Sequence, residues 1–323
     1  MEWPRGEARD CKSLYTGSNP VSTSIINIVN TLAIDIGATK IALGIFDSEK
    51  NLLSKIEIKI AGANDPWRLI EPELIGLSNS KDFRINKIGI GSAGPIDIKN
   101  QTISPVNIVA WRNFPLIEKL KTLFPKTEPV LIGDAIALTL AELKVGAGRG
   151  LTNFLGMVVS TGIGGGLVLN GKLHTGESGN AGHFGHHVVG ASDFPCACGR
   201  FGCVEAYSSG PSMVRYAVQN GWNGESFEQL SQSNDPIATA AISRGVKYLA
   251  KAIINVATVV DLTDAVVGGG VIESGDIFWQ PFIENVHAEA KLVQFTQNFR
   301  VHKAELRRDA GLIGAAFAAD GLD

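Results

Sequence analysis

The chain of 323 residues has little net charge and few cysteines, and it has no long apolar run. Lys plus Arg number 29 against 32 Asp plus Glu, a formal charge of −3. That balance excludes a strongly basic nucleic-acid binder and gives no pull toward anionic membranes. No stretch reaches the ~18 consecutive apolar residues of a membrane span. The nearest candidate, residues 252–271, is interrupted by Asn255, Asp261 and Asp264. The N-terminus lacks the apolar core of a secretory signal. The four cysteines are Cys11, Cys196, Cys198 and Cys203, and three of them fall within eight residues. So uneven a spacing is no disulfide framework and implies a reducing, cytoplasmic setting. Also missing are the GxxxxGK[ST] of a P-loop and a GxGxxG opening a helix after the first strand. What the chain has in excess is glycine, 37 residues, against a usual ~7%. The glycines gather in a few short clusters without a period, which excludes a fibrous or low-complexity chain.

Residues 1–28 have neither helical nor strand periodicity. Gly17, Ser18, Asn19 and Pro20 can be encoded by GGTTCGAATCC, the consensus of a transfer-RNA T-arm. One expectation is a reading frame extended upstream through such a gene, with a native start near Val29. The other is a disordered tail. Folding is expected to begin at Thr31.

TLAIDIGATKIALGIFD reads as strand, tight turn, strand. Gly37, Ala38, Thr39 and Lys40 form the turn, whose backbone N–H groups can approach a phosphate. Asp35, just before it, can hold Mg²⁺ through water. FLGMVVSTGIGGGLVLNGKL repeats the pattern about 125 residues later, with Thr161, Gly162, Gly164 and Gly165 at the turn. A third cluster, VVGGGV, places Gly268 and Gly269 where a flat adenosine moiety can lie. Two hairpins and this cluster predict a duplicated architecture around an ATP site.

The most specific feature is GNAGHFGHHVVGASDFPCACGRFGCVEAYSSG. His186 is followed after nine residues by Cys196, then by Cys198 and, four residues on, by Cys203. One imidazole and three thiols suit a closed, tetrahedral structural Zn²⁺ site. Glu205 directly follows and opens a helical stretch, where a carboxylate is favoured. In PVLIGDAIALTLAEL a short buried strand meets a helix beginning near Ala135, with Asp134 at the junction. Phosphoryl transfer to a hydroxyl needs a base within hydrogen-bond reach, and such a junction offers one.

In this order and spacing, DIGATK, STGIGGG and VVGGGV resemble the actin/hexokinase-like ATPase fold (ribonuclease H-like, α/β, two lobes). The cysteine run matches GHx₉CxCGxxGCxE, the zinc motif of the ROK family of sugar kinases and repressors, and the resemblance spans residues 31–320. It implies an ATP- and Mg²⁺-dependent sugar kinase with structural zinc. Residues 31–143 are expected as the first lobe, joined by a C-terminal helix within 307–323. Residues 144–306 are expected as the second, carrying the zinc loop at 183–205. By resemblance Asp134 is the catalytic base, His186 is a zinc ligand beside the sugar, and Glu205 accepts from a sugar hydroxyl. Gly94, in GIGSAGPID, belongs to a sugar-edge loop. Asn107 is a candidate sugar contact, and Trp111 either walls the pocket or packs in the core.

Three departures matter. Ala38 stands where the family usually has Gly, which is tolerated if its φ stays negative. Gly133 replaces the family's Asn beside the base, removing a side chain that usually holds a sugar hydroxyl. His183 replaces a Glu in AGHFGH, and ROK kinases acting on N-acetylmannosamine carry His there too. An imidazole can donate or accept, whereas a carboxylate only accepts, which fits a sugar bearing an amide. Drift within a glucokinase is the alternative. His187 has no assigned role and is expected at the surface. ROK repressors carry about seventy residues of winged helix-turn-helix ahead of the first hairpin, and only 34 residues precede Asp35 here. The expected partners are therefore a small sugar and ATP, with no nucleic acid or membrane, in a homodimer or homotetramer. An inactive sugar-binding relative is the remaining reading, motivated by Gly133.

Overall fold

The computed structural model describes residues 29–190 and 194–322. The extension at 1–28, with Cys11, lies outside the described residues. Strands β1 (Asn30–Ile36), β2 (Lys40–Phe46) and β3 (Leu52–Lys59) form an antiparallel meander. Helix α1 (Trp67–Ser78) carries the chain to β4 (Ile85–Ser92), parallel to β1. A small ribbon, β5 (Ile96–Asp97) with β6 (Thr102–Ile103), and helix α2 (Leu116–Leu123) precede β7 (Val130–Gly133). Helix α3 (Asp134–Val145) follows without a loop.

The second half repeats the plan with β8 (Phe154–Val159), β9 (Ile163–Leu169) and β10 (Lys172–His174). Four helices follow the cysteine loop: α4 (Glu205–Ser208), α5 (Gly210–Gln219), α6 (Phe227–Ser231) and α7 (Pro236–Val260). Then come β11 (Asp264–Gly268), α8 (Asp276–Ala290), β12 (Arg300–Lys303) and α9 (Ala310–Ala318). The two five-stranded sheets have the same order, β3-β2-β1-β4-β7 and β10-β9-β8-β11-β12.

Burial follows position in the sheet. β1 is central and buried along nearly its whole length, its polar Asn30 and Thr31 included. β3 is the edge, and its Ser54, Lys55 and Glu57 break the apolar run as an exposed edge requires. Helix α7 starts with Asp235 accepting from the Ile237 N–H at 2.8 Å and Pro236 in the first turn. It ends at Asp261, whose φ of 61° turns the chain out of the helix.

The halves are tied by an exchange of helices. α3, from the first half, lies on β8 and β9, while α9, at the chain's end, lies on β1 and β4. The two helices also pack on each other, and glycine permits it: a Cβ on Gly314 would lie 1.7 Å from the Ala137 carbonyl oxygen. Buried Glu142 of α3 secures both crossings. Its carboxylate accepts from the N–H groups of Ala147 at 2.7 Å, Glu305 at 3.2 Å and Leu306 at 2.9 Å.

Candidate active site

Asp134 is the first residue of α3, placed at a cleft by the end of β7. Gly94, Gly133, Gly164, Gly179 and His183 line the cleft with it. Its Oδ1 accepts from the Ala135 N–H at 2.7 Å. The carboxylate opens on the cleft but has protein on its other sides. Loss of water raises its pKa above the usual carboxylate range, against the Ala135 bond and the His183 ring.

Asp35, near the end of β1, faces the same region and is pushed up to about 6. Burial is the first cause and the charge of Asp134 the second, while Lys40 and Lys55 oppose them. Gly311 leaves the room: a Cβ there would lie 2.8 Å from Asp35 Oδ2. Two carboxyls that each resist ionisation form a place where a divalent cation is welcome, and hard oxygen donors suit Mg²⁺.

The hairpin turns are built differently. At the first, the Gly37 N–H donates to the Lys40 carbonyl at 3.0 Å, and the Lys40 ammonium pairs with Glu57 at 2.8 Å. Ala38 is not among the positive-φ residues, so its methyl is accommodated. At the second, the Ser160 N–H donates to the Gly162 carbonyl at 2.9 Å. Glu205 Oε2 accepts from the Ile163 N–H at 2.8 Å. Thr161 stands exposed at the tip. Gly164 and Gly165 run back along β9, Gly164 so close to Ala135 that an added Cβ would lie 2.7 Å from the alanine's. This contact brings the second hairpin against the start of α3. Gly268 ends β11 beside Val158, and Gly269, at φ 102°, turns over Val159.

The four donor atoms of His186, Cys196, Cys198 and Cys203 all lie within 4.8 Å of one another. Cys198 Sγ is 3.7 Å from Cys203 Sγ, and Cys196 Sγ is 3.5 Å from His186 Nδ1. Tetrahedral zinc with Zn–S near 2.3 Å places its sulfurs about 3.8 Å apart, so the set fits that ion. Alone, the Cys203 thiol is pushed up to about 12, by burial first and then by the other two cysteines. Three thiolates in this space therefore call for a cation. The Arg200 guanidinium donates to the His186 carbonyl and braces the loop.

His183 stands one turn before His186, its ring 6.3 Å away and nearly parallel. It thus links the metal cluster to Asp134. Burial holds its pKa below the usual value, with the His186 charge adding to the effect. His187 corrects the expectation of an exposed residue: it is half-buried, and its Nδ1 has no partner among the described residues. Burial lowers its pKa. The sequence placed it outside because nothing there showed that the cysteine loop folds back over it.

Asp134, Gly94, Gly164, Gly165 and His183 meet at one cleft. Asn107 is not on its wall; it lies exposed on a loop beyond. That loop is tied to the cleft, because the Val106 N–H donates to the Gly94 carbonyl at 3.2 Å and Arg112 holds the Ser104 and Val106 carbonyls. Trp111 is core, 1% exposed and stacked on Phe114 at 4.5 Å between centroids. Asn180 lines the cleft and was missed. A lone Asn among Gly and Ser reads as loop, and only the fold shows what it faces.

Comparison with known proteins agrees with this geometry. An N-acetylmannosamine kinase of Escherichia coli O127:H6 is 33% identical over 299 residues, covering 91% of this chain and 99% of its own. A glucokinase of Streptomyces coelicolor is 30% identical over 312 residues, covering 88% and 96%. A ROK family glucokinase from Streptomyces griseus, crystallised with glucose and AMPPNP, superposes with a TM-score of 0.75 at 29% identity, covering 90% and 99%. The duplicated sheets and exchanged helices are those of the actin/hexokinase-like ATPase fold. The ROK family model matches residues 31–321. With nearly the whole described chain inside that match, and the cysteine motif and cleft in place, the chain belongs to the ROK family.

Proposed function

We propose that this protein is an ATP-dependent sugar kinase that phosphorylates the C6 hydroxyl of N-acetylmannosamine. The observation that carries the reading is Asp134, a carboxyl of raised pKa at the start of α3, in one cleft with His183 and the glycines of β9. In the proposed reaction the sugar hydroxyl oxygen bonds to the γ-phosphorus of ATP. The bond from that phosphorus to the β–γ bridging oxygen breaks, ADP leaves, and the hydroxyl proton passes to Asp134. A base whose pKa is raised toward the working pH is suited to this, and positioning supplies most of the rest.

Asp35, Gly37, Ala38, Thr39 and Lys40 on one side, and Thr161, Gly162, Gly164 and Gly165 on the other, are assigned to the phosphates. Gly268 and Gly269 are assigned to the adenosine. Mg²⁺ held near Asp35 would neutralise phosphate charge. Gly94, His183, His186 and Glu205 are assigned to the sugar, with His186 also holding a structural Zn²⁺; Asn107, outside the cleft wall, is assigned to it by way of the loop tied to Gly94, moving inward. Glu205 already spends one oxygen on the Ile163 N–H, which leaves the other for a hydroxyl. Use of ATP fits a cytoplasmic setting, and no helix among the described residues is long and apolar enough to cross a membrane. A homodimer or homotetramer is assigned by family resemblance.

Glucose is the second candidate, favoured by the relatives named glucokinase. The test is ADP release from Mg-ATP with N-acetylmannosamine, glucose and N-acetylglucosamine in parallel. The expected result is highest kcat/KM on N-acetylmannosamine. Preference for glucose would make His183 incidental, and no turnover on any of the three would end the kinase reading.

A further inference from the structure

Asn180 hydrogen-bonds both within its own loop and to the distant segment at Ile96. Its Nδ2 donates to the Ile96 carbonyl at 2.9 Å and to the Ser178 carbonyl at 3.0 Å. Its Oδ1 accepts from the Ile96 N–H at 3.2 Å. This pairing joins two distant segments, the loop leading to the cysteine cluster and the strand after Gly94 and Pro95. It also fixes which way the carboxamide faces. The Ile96 N–H can only donate and its carbonyl can only accept, so oxygen and nitrogen cannot be exchanged. Backbone reinforces the pairing: Gly179 turns the loop at φ 79°, a conformation that favours glycine, with Ile98 packed over it.

The same Oδ1 lies 3.4 Å from His183 Nε2. An oxygen so oriented accepts a proton and cannot give one. It therefore favours the His183 tautomer with hydrogen on Nε2, leaving Nδ1 as the acceptor of the ring. Gly94 completes the arrangement, because a Cβ there would lie 3.1 Å from His183 Cε1.

We propose that Asn180 is a specificity-determining positioning residue: it clamps the sugar-edge loop at Ile96 and sets the orientation and tautomer of His183, so that the ring offers an acceptor to an amide N–H on the sugar. This rests on the sugar-kinase reading above. A ring acceptor fixed in place discriminates by position: N-acetylmannosamine carries its C2 donor axially and glucose equatorially, so a ring set for the one is left unpaired by the other.

The test uses the full-length protein with its zinc content measured. Asn180→Ala is expected to raise the KM for N-acetylmannosamine about tenfold or more, and to cut the kcat/KM ratio of N-acetylmannosamine over glucose to a similar extent. The KM for ATP should stay within about twofold. Asn180→Asp keeps an oxygen toward His183 and the Ile96 N–H but loses both donors. It should therefore raise the sugar KM yet retain most of the ratio. An unchanged ratio in Asn180→Ala, or equal losses toward sugar and ATP, would overturn the proposal. Nitrogen-15 NMR of the His183 ring supplies a readout independent of turnover, with Asn180→Ser in reserve if the alanine variant does not fold. Wild type should show the Nε2–H form, and the variant should lose that preference. The same tautomer in both would sink the proposal. If wild type phosphorylates no hexose, the kinase reading falls and the ring spectrum alone decides on Asn180.

Discussion

The two halves share a scaffold but not a chemistry. In the first hairpin Asp35 pairs with Ala42 across β1 and β2, one step before the turn. At the matching place of the second hairpin Val158 pairs with Gly164. The neighbours in the parallel direction correspond too, Gly91 beside Asp35 and Gly268 beside Val158. The helix starts show the same contrast. Asp134 opens α3 without an ion-pair partner among the described residues, whereas Asp309, just before α9, is bound to Lys55 at 2.7 Å. A cleft where the charge of Asp134 already raises the pKa of Asp35 has no place for a third free carboxylate. Duplication supplied two turns of backbone N–H groups. Asp35 and Asp134 lie in the first half, and the cysteine loop lies in the second.

The largest expected effect tests the unequal division of acids. Asp134→Asn should lower kcat by about two to four orders of magnitude while sugar binding, measured by calorimetry, survives. Near-normal turnover would remove Asp134 as the base and leave the halves chemically closer than they look. The next tests the division of ligands. Cys203 is fully buried within the metal set. Cys203→Ser should lower zinc from about one per chain to well below half and raise the sugar KM about tenfold or more. Nucleotide affinity should change far less. Equal loss of both affinities would show that the zinc loop serves the whole cleft.

How far the sequence discloses this follows from where the information is local. Each hairpin is a run of alternating residues interrupted by glycine, and the metal set lies within eighteen residues, His186 to Cys203. Such features need no knowledge of the fold. The exchange of α3 and α9 depends on close contacts such as Gly314 on Ala137, which no pattern within either helix shows. Trp111 was open between wall and core, since an aromatic fits both, and its stacking on Phe114 decided it. Asn180 and the half-buried His187 were missed or misplaced for the same reason: their environment comes from a chain segment that returns from elsewhere.

Asp35 offers a smaller effect with a definite sign. Its folded pKa of about 6 lies above its unfolded value. The folded state therefore holds the proton more tightly. Stability from this group is full below about pH 4 and is lost as pH rises toward 6. Asp35→Asn should remove that slope and stabilise the metal-free protein at pH 7 by about 1–2 kcal/mol, the side chain being only part-buried. It should also weaken Mg-ATP binding. Thermal melts across pH 4 to 7 provide the check. An unchanged slope would mean that Asp35 is solvated and that the first hairpin's acid is no costlier to keep than Asp309.

The smallest effect sharpens the comparison at the junction of β7 and α3. Gly133 has φ −67° and ψ 149°, a conformation open to any residue. A Cβ there would meet the Ile136 side chain, Cδ1 nearest at 3.5 Å, which is ordinary contact. The glycine is thus not demanded by backbone or space. Gly133→Asn should leave stability within about 0.5 kcal/mol, because the site faces the cleft. If this Asn holds a sugar hydroxyl, as the family resemblance implies, the sugar KM should fall about three- to tenfold, the worth of one hydrogen bond. An unchanged KM would mean that another group already holds that hydroxyl. The first half's strand–helix junction would then contribute a base and nothing more.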